Sequence, residues 1–353
     1  MFLRNAWYMA GWSRDFGSEA VVHFTILGEP LVIYRKQDGT LAVLQDRCPH
    51  RLAPLSVGQR EGDDLRCMYH GLKFASDGRC VEIPGQDRIP PSLKVRSYPA
   101  LERHSGVWIW MGEAGKADEA LLPDFVGIDH PGWSMKPGRM DYRANYQLIN
   151  DNLLDLSHIF FVHKDTFGAG DANLVRRAAT YQPQLTPLPR GVRFERRVEN
   201  GQPPPYLKGK VEAGDTWHSY DFLAPGVFLM SYQIYPPGTF ARGAEAETPP
   251  SHAHYTCQAI TPLTETTTSY FFAFGPSSRQ PELTDLFYDL GVAAFNEDRA
   301  MIEAQQRVID QSPGVPMIPL GMDGGASLFR SIMQRMMTEE AKPSTPAREP
   351  ALA

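Results

Sequence analysis

The chain has 353 residues, 42% hydrophobic and 22% charged, with a formal net charge of −6. That length accommodates two domains, each able to bury its own core, and the composition is that of a globular protein. The acidic balance and the lack of a long Lys/Arg run exclude a nucleic-acid surface, and no stretch approaches the ~20 apolar residues needed to span a bilayer.

The first residues, MFLRNAWYMAGWSRDF, lack the apolar core of a secretory leader, so a soluble, cytoplasmic protein is expected. From Val21 to Trp110 short β-rich runs alternate with turns. VVHFTILG, PLVIYRK, LAVLQD, LRCMYHG, LKFASDGRCVEI and GVWIWMG read as strands, with Asp-Gly at 38–39 and 77–78 as hairpin signals. This predicts an all-β unit over residues 1–115, and the acidic, small-residue stretch Gly112–Asp124 reads as the connection to the next domain.

Residues 116–340 mix strands with helices. VFLMSYQIY, HAHYTCQAITP and TTTSYFFAFG read as long antiparallel strands with half-buried faces, while GQPPPYLKG and ARGAEAETPPS read as loops. A long helix is predicted from Pro281, with Leu283, Leu286, Phe287, Leu290, Ala294, Met301 and Ile302 apolar. A last helix around Ala326–Thr338 aligns Phe329, Ile332, Met333 and Met336 on one stripe. The Pro-rich tail, residues 341–353, is expected to be disordered.

Cys48-Pro49-His50 and Cys67-Met68-Tyr69-His70 each offer one thiolate and one imidazole. A Rieske [2Fe-2S] cluster uses that set, two Cys on one iron and two His on the other, with a potential of roughly −150 to +300 mV. Zinc accepts the same ligand types but usually takes them as C-x2–4-C and H-x3–5-H pairs. Pro49 stiffens the first loop, Gly71 permits a tight turn after the second, and Tyr69 either bonds the cluster region or packs in the small domain. The two remaining cysteines, Cys80 and Cys257, read as free, buried residues.

The segment Asn152-Leu-Leu-Asp155-Leu-Ser-His158-Ile-Phe-Phe-Val-His163 suggests part of an Fe(II) site made of two histidines and one carboxylate. Residues five apart sit about 140° apart on an ideal helix, so both imidazoles face one ion only if the helix ends or loosens between them. The third ligand falls on the long helix, where Asn296-Glu297-Asp298-Arg299 interrupts the apolar stripe. Asp298 is placed on the face of Phe287, Met301, Ile302 and Gln305, and Glu297 lies one position round.

CPHRLAPLS and CMYHGLKF resemble the Rieske domains of aromatic-ring oxygenases, although Met68 and Leu72 stand where that family often has Pro and Trp. Over nearly the whole length the chain resembles vanillate-type O-demethylase oxygenase components, and also the dicamba type. RNAWY, GVWIWMG, DNLLDLSHIFFVH, FNEDRAMIEAQQ and DGGASLFRSIMQR carry this likeness. The resemblance implies an α+β architecture, a Rieske domain followed by a helix-grip-like catalytic domain with an antiparallel sheet. It implies a [2Fe-2S] cluster on Cys48, His50, Cys67 and His70 and a mononuclear Fe(II) on His158, His163 and Asp298. It places Asp155 at the electron bridge to a neighbouring subunit's cluster in a head-to-tail homotrimer, and Asn152 at a nearby polar position. The substrate contacts do not carry over, since Met230 and Gln258 stand where the dicamba-type pocket offers an amide or an imidazole. Trp217, Tyr232, Gln258 and Phe272 are the expected lining residues from their strand positions.

The implied reaction is insertion of one oxygen atom from O2 into a C–H bond of an aromatic acid. On a methoxylated, vanillate-like acid it releases formaldehyde and leaves a phenol. No dinucleotide fingerprint is visible, so electrons are expected from a separate NADH-dependent reductase carrying flavin and its own ferredoxin cluster. Two other outcomes stand beside this one: methyl or ring hydroxylation of another aromatic acid, and a Rieske electron carrier without a second iron.

Overall fold

The computed structural model describes residues 1–125, 128–163, 166–167 and 183–342; the Pro-rich tail from residue 343 lies outside them. The N-terminal region is all-β. Strands β1 (Trp7–Trp12), β9 (Ala100–Arg103) and β10 (Gly106–Trp110) form one antiparallel sheet in the order β1-β10-β9. A second holds β2 (Val21–Ile26), β3 (Glu29–Arg35) and β4 (Leu41–Gln45). A third joins β5 (Gln59–Glu61), β6 (Asp64–Arg66), β7 (Lys73–Phe74) and β8 (Cys80–Glu82).

Both Asp-Gly pairs sit in turns, and the β3–β4 hairpin closes with Lys36 N–H donating to Thr40 O at 2.8 Å. LRCMYHG is not one strand. It leaves the sheet after Arg66, because Cys67–Gly71 folds back on itself. Strand β1 had no sequence signal among the expected strands, yet all six of its residues are buried. Its Trp7 packs edge-on against Trp110, with ring centroids 5.4 Å apart.

The C-terminal region is built on a seven-stranded antiparallel sheet: β11 (Lys136–Tyr142), β12 (Gln184–Leu188), β13 (Gly191–Gly201), β14 (Gly214–Leu223), β15 (Val227–Tyr235), β16 (His252–Pro262) and β17 (Thr268–Pro276), in the order β11-β17-β16-β15-β14-β13-β12. Helices α1 (Tyr146–Leu154), α2 (Ile159–Val162), α3 (Thr284–Gln311) and α4 (Gly324–Glu340) accompany it. A 3-10 turn with Pro281 first leads into α3.

Strands β16 and β17 were expected to bury one face, but nearly every residue is buried. The helices cover one side, and the N-terminal region docks on the other through Thr261 Oγ1 to Met9 O at 2.7 Å and Leu27 N–H to Pro262 O at 2.9 Å. One apolar core therefore runs from Trp7 and Trp108 through to Phe271 and Tyr270. A separate small core of Val32, Tyr34, Leu55, Leu65 and Phe74 surrounds Cys48 and Cys67.

The buried stripe of α3 is Phe287, Gly291, Ala294, Phe295, Asp298, Ile302 and Gln306. Met301 is 58% exposed and Gln305 is exposed, so the expected face is rotated by about one position. The 3.6-residue period selects Ile302 and Gln306 from Asp298 by steps of four.

Candidate metal centres and the adjoining cavity

The two Cys-His loops are near copies of one another. In the first, Cys48 N–H donates to Ala53 O and Leu52 N–H to Cys48 O, both at 2.8 Å. In the second, Cys67 N–H donates to Leu72 O at 2.8 Å and Gly71 N–H to Cys67 O at 2.9 Å. The equivalent residues Leu52 and Gly71 both take positive φ, 60° and 76°. Only glycine does so without strain, and a Cβ on Gly71 would also lie 2.7 Å from Pro84 Cγ.

Each loop has a polar brace beneath it. Asp46 accepts from Ser56 N–H at 2.7 Å, from Ser56 Oγ at 2.6 Å and meets His23 Nδ1 at 2.7 Å. Arg66 donates to Gly71 O at 2.7 Å while paired with Glu61 and Glu82.

The four donors are segregated by type. Both thiols are buried, whereas His50 and His70 are exposed, with ring centroids 4.5 Å apart. A two-iron cluster with one all-Cys and one all-His iron fits that division. Burial, together with the neighbouring Cys67 thiol, pushes the Cys48 thiol up to about 11, so this pocket favours neutral sulfur unless a cation compensates. Tyr69 is 62% exposed and lies against His70, its ring centroid 4.1 Å away, rather than packing in the domain.

The second centre draws on three helical segments. Helix α1, capped by Asn145 through Gln147 N–H, ends at Asp155, whose backbone turns to φ −128° and ψ 95°. Asp155 then caps a 3-10 turn, Leu156–His158, accepting from Ser157 N–H at 2.9 Å and Ser157 Oγ at 3.0 Å. Helix α2 follows and ends at His163. The winding thus changes from 3-10 to α at the His158–Ile159 junction and the helix ends at His163, so the two histidines do not sit on one continuous α-helix.

His158, His163 and Asp298 bring one ligand atom each to within 4.8 Å of one another. Asp298 Oδ1 lies 3.4 Å from His158 Nε2 and 3.2 Å from His163 Nε2. Asn152 Nδ2 donates to the same carboxylate oxygen at 3.1 Å. Each Nδ1 faces an acceptor: Asp155 O at 2.6 Å for His158 and Glu297 Oε2 at 2.8 Å for His163. Thr166 Oγ1 also donates to Glu297 Oε2, at 2.7 Å. These acceptors fix Nδ1 as the protonated nitrogen and leave both Nε2 lone pairs converging beside a buried carboxylate, which is the donor set and orientation of a divalent-metal site.

Glu297 therefore holds a histidine, one position round from Asp298. Asp155 meets His158 through its backbone carbonyl, while its carboxylate is engaged by Ser157. Burial disfavours the imidazolium of His163, yet Asp298 and Glu297 outweigh it and raise its pKa.

A cavity of about 560 Å³ opens beside this centre, between helices and sheet. Its helical wall includes His158, His163, Gly291, Phe295 and Asp298, and its sheet wall includes Arg196, His218, Tyr232, His254 and Gln258. Gly291 gives the ring of Phe274 room, since a Cβ there would lie 2.8 Å from Phe274 Cδ1.

Of the expected lining residues, Tyr232 and Gln258 reach the cavity, and Trp217 and Phe272 do not line it. Alternation along β14 turns Thr216 and His218 inward and Trp217 outward, beneath the Arg197 guanidinium 4.6 Å from its ring. Phe272 is covered by Phe295, with centroids 4.9 Å apart.

Arg196, His218 and His254 escaped the sequence reading. The available signal was a polar residue in the inward phase of Val192, Phe194, Arg196 and Val198, and again of Thr216, His218, Tyr220 and Phe222. Burial, then Arg196, push His218 down to about 4, and burial pushes Tyr232 up to about 12, so both are neutral near pH 7.

The Rieske [2Fe-2S] domain family matches residues 6–99, and the vanillate O-demethylase oxygenase C-terminal domain family matches residues 142–339. The chain is 39% identical to the toluene-4-sulfonate monooxygenase iron-sulfur subunit of Comamonas testosteroni, covering 96% of this chain and 98% of that one. It is 34% identical to the dicamba O-demethylase oxygenase component of Stenotrophomonas maltophilia, covering 96% and 99%. The crystal structure of dicamba monooxygenase bound to 3,6-dichlorosalicylic acid superposes with a TM-score of 0.83 at 30% identity, over 97% of this chain and 99% of that one.

Proposed function

The chain belongs to the Rieske non-haem iron oxygenases of the vanillate O-demethylase type, and from that premise we propose that it oxidises a methyl carbon carried by a small aromatic acid. Membership brings a [2Fe-2S] cluster, a mononuclear iron and a separate reductase component. It also sets aside a pure electron carrier.

In this reading Cys48, His50, Cys67 and His70 hold the cluster, and His158, His163 and Asp298 hold the mononuclear iron. The observation that carries it is the convergence of two Nε2 lone pairs and one buried carboxylate at the wall of a ring-sized cavity. When bound, the two irons supply stepwise electrons and O2 activation. The protein's own work is orientation. Asp155 O and Glu297 fix the imidazoles, Asn152 steadies Asp298, and Phe228, Phe274 and Phe295 offer apolar contact to an aromatic ring.

O-demethylation of a methoxylated, vanillate-like acid is the first form of this proposal. A hydroxylated methoxy carbon is a hemiacetal that collapses to formaldehyde and a phenol. Hydroxylation of a ring methyl on an aryl sulfonate is the second, favoured by the 39% identity to a toluene-4-sulfonate monooxygenase subunit. Both put a methyl carbon at the iron and an acid group across the ring. The electron source is taken as an NADH-dependent reductase with flavin and ferredoxin centres.

Assembly is taken as a head-to-tail homotrimer in which a neighbour's cluster approaches the Asp155 side. Val315, Met317, Ile318, Leu320 and Met322 are exposed along one stretch, and Met322 Sδ meets Ser157 Oγ at 3.4 Å, two residues from Asp155. Leu52, Met68 and Tyr69 are exposed on the cluster loops. Apolar surface at both places supports burial against a second copy. Among the described residues no helix is long and apolar enough to cross a membrane.

The test is a panel of vanillate, veratrate, 4-methoxybenzoate and toluene-4-sulfonate with a competent reductase. Formaldehyde from the methoxy acids, one per NADH and per O2, supports O-demethylation. A hydroxymethyl product from the sulfonate alone supports the second form, and no product from any of the four overturns both.

A further inference from the structure

Four cavity residues form one line across the sheet. Arg196 on β13 pairs with His218 on β14, His218 with Tyr232 on β15, and Tyr232 with His254 on β16. All four side chains belong to the sheet wall of the cavity, facing the helices that carry His158, His163 and Asp298. Among the described lining residues Arg196 is the one Arg or Lys, and Asp298, the one carboxylate, belongs to the histidine–aspartate centre on the facing wall.

We propose that Arg196 and His218 form the anion-binding end of the cavity, where they take the sulfonate or carboxylate of an aromatic substrate. The assignment rests on the reading of the substrate as an aromatic acid and names the residues that select it. Its independent support lies at His218, whose Nε2 is buried without a hydrogen-bond partner among the described residues while its ring lines the cavity. A buried polar atom without a partner is costly and marks a place where a ligand completes the bonding.

Arg196 occupies an inward strand position, in phase with buried Val192 and Phe194, and lines the cavity. Its charge is felt by both neighbours, lowering the pKa of His218 and opposing the rise at Tyr232. A neutral His218 in the Nε2–H tautomer donates to an oxyanion beside the guanidinium. An acid held there leaves the far side of the ring directed across the cavity toward the histidine–aspartate centre, which is where the methyl carbon must lie.

Binding is measured by titration calorimetry on the resting, cluster-loaded protein with toluene-4-sulfonate and 4-methoxybenzoate against their neutral amides, toluene-4-sulfonamide and 4-methoxybenzamide. The wild type is expected to prefer the acids. Arg196→Met is expected to weaken acid binding by ~10–100-fold, the range of a lost charge-assisted bond, with amide binding changed less than about threefold on the same scale. Arg196→Lys keeps the charge and recovers part of the loss. His218→Phe keeps the ring volume and is expected to cost the acids ~10-fold.

Unchanged cluster absorbance and circular dichroism certify the fold in each variant. Equal weakening of acids and amides, or no weakening of the acids, overturns the assignment even if the wild type turns acids over. A wild type that binds neither acid removes the aromatic-acid reading itself, and this assignment with it.

Discussion

Replacing Glu297 separates the carboxylate that orients a histidine from the one proposed to hold the iron. Glu297 Oε2 lies 2.8 Å from His163 Nδ1 and 2.7 Å from Thr166 Oγ1, and it contributes no atom to the converging set. Losing such an outer acceptor typically weakens metal affinity 10–100-fold, about 1.4–2.7 kcal/mol. Glu297→Gln keeps an acceptor for Nδ1–H but drops the charge, so it belongs at the lower end of that range. Glu297→Ala removes both and belongs at the upper end. The position is in the middle of a 28-residue helix, where Ala is at least as favourable as Glu, so α3 itself is not threatened. The assay is equilibrium dialysis of Fe(II) against a chelator series at fixed pH, with the visible cluster spectrum as internal control. Wild-type iron affinity in Glu297→Ala, or a cluster lost together with the mononuclear iron, refutes the reasoning.

Asp155→Asn preserves a good capping residue for the 3-10 turn, so metal content and melting temperature are expected to hold while turnover is lost; Asp155→Ala is expected to cost ~1 kcal/mol of stability as well. An active Asn variant with wild-type assembly would remove Asp155 from the electron path. Gly291→Ala places a methyl 2.8 Å from Phe274 Cδ1 and pushes that ring into the cavity, so KM for the preferred acid is expected to rise about 10-fold with thermal stability nearly unchanged. An unaltered KM would mean that Phe274 does not bound the substrate. Acid should loosen the second cluster loop. Hydrogen bonds from Arg66, then from Lys73, hold Glu82 down at about 2, below its ordinary value of 4.5, so its stabilising contribution is complete above about pH 4.5 and is lost as pH falls through about 2. Thermal melts of wild type and Arg66→Met across pH 5 to 2 should converge at the acid end, and parallel curves would contradict this.

The two candidate metal-binding motifs could be singled out because their residues are local. Cys48/His50 and Cys67/His70 lie in single loops, and His158/His163 in one segment. Asp298 was legible by period, as a carboxylate on an apolar stripe, although the stripe itself was misplaced toward Met301 and Gln305. What the sequence concealed depends on register between distant strands. Nothing local says that Arg196, His218, Tyr232 and His254 stand in one row, because that row exists only after β13 to β16 have paired. Strand β1 was missed because its WYMAGW run is buried on both faces and has no alternation to read. The outward turn of Trp217 and the covering of Phe272 follow from the same pairing. Periodicity can place a side chain on a face, but it cannot say which neighbour covers that face.

The most direct test of two separate iron centres is the iron-to-sulfide ratio of purified wild type and of His163→Ala. About three irons and two acid-labile sulfides per chain are expected for the wild type, from one [2Fe-2S] cluster and one mononuclear ion. His163→Ala should fall to about two irons with sulfide and cluster spectrum unchanged, and with substrate oxidation abolished. An unchanged ratio of about three to two in the variant, or loss of sulfide along with the iron, would contradict the assignment of His158, His163 and Asp298 to a centre of their own.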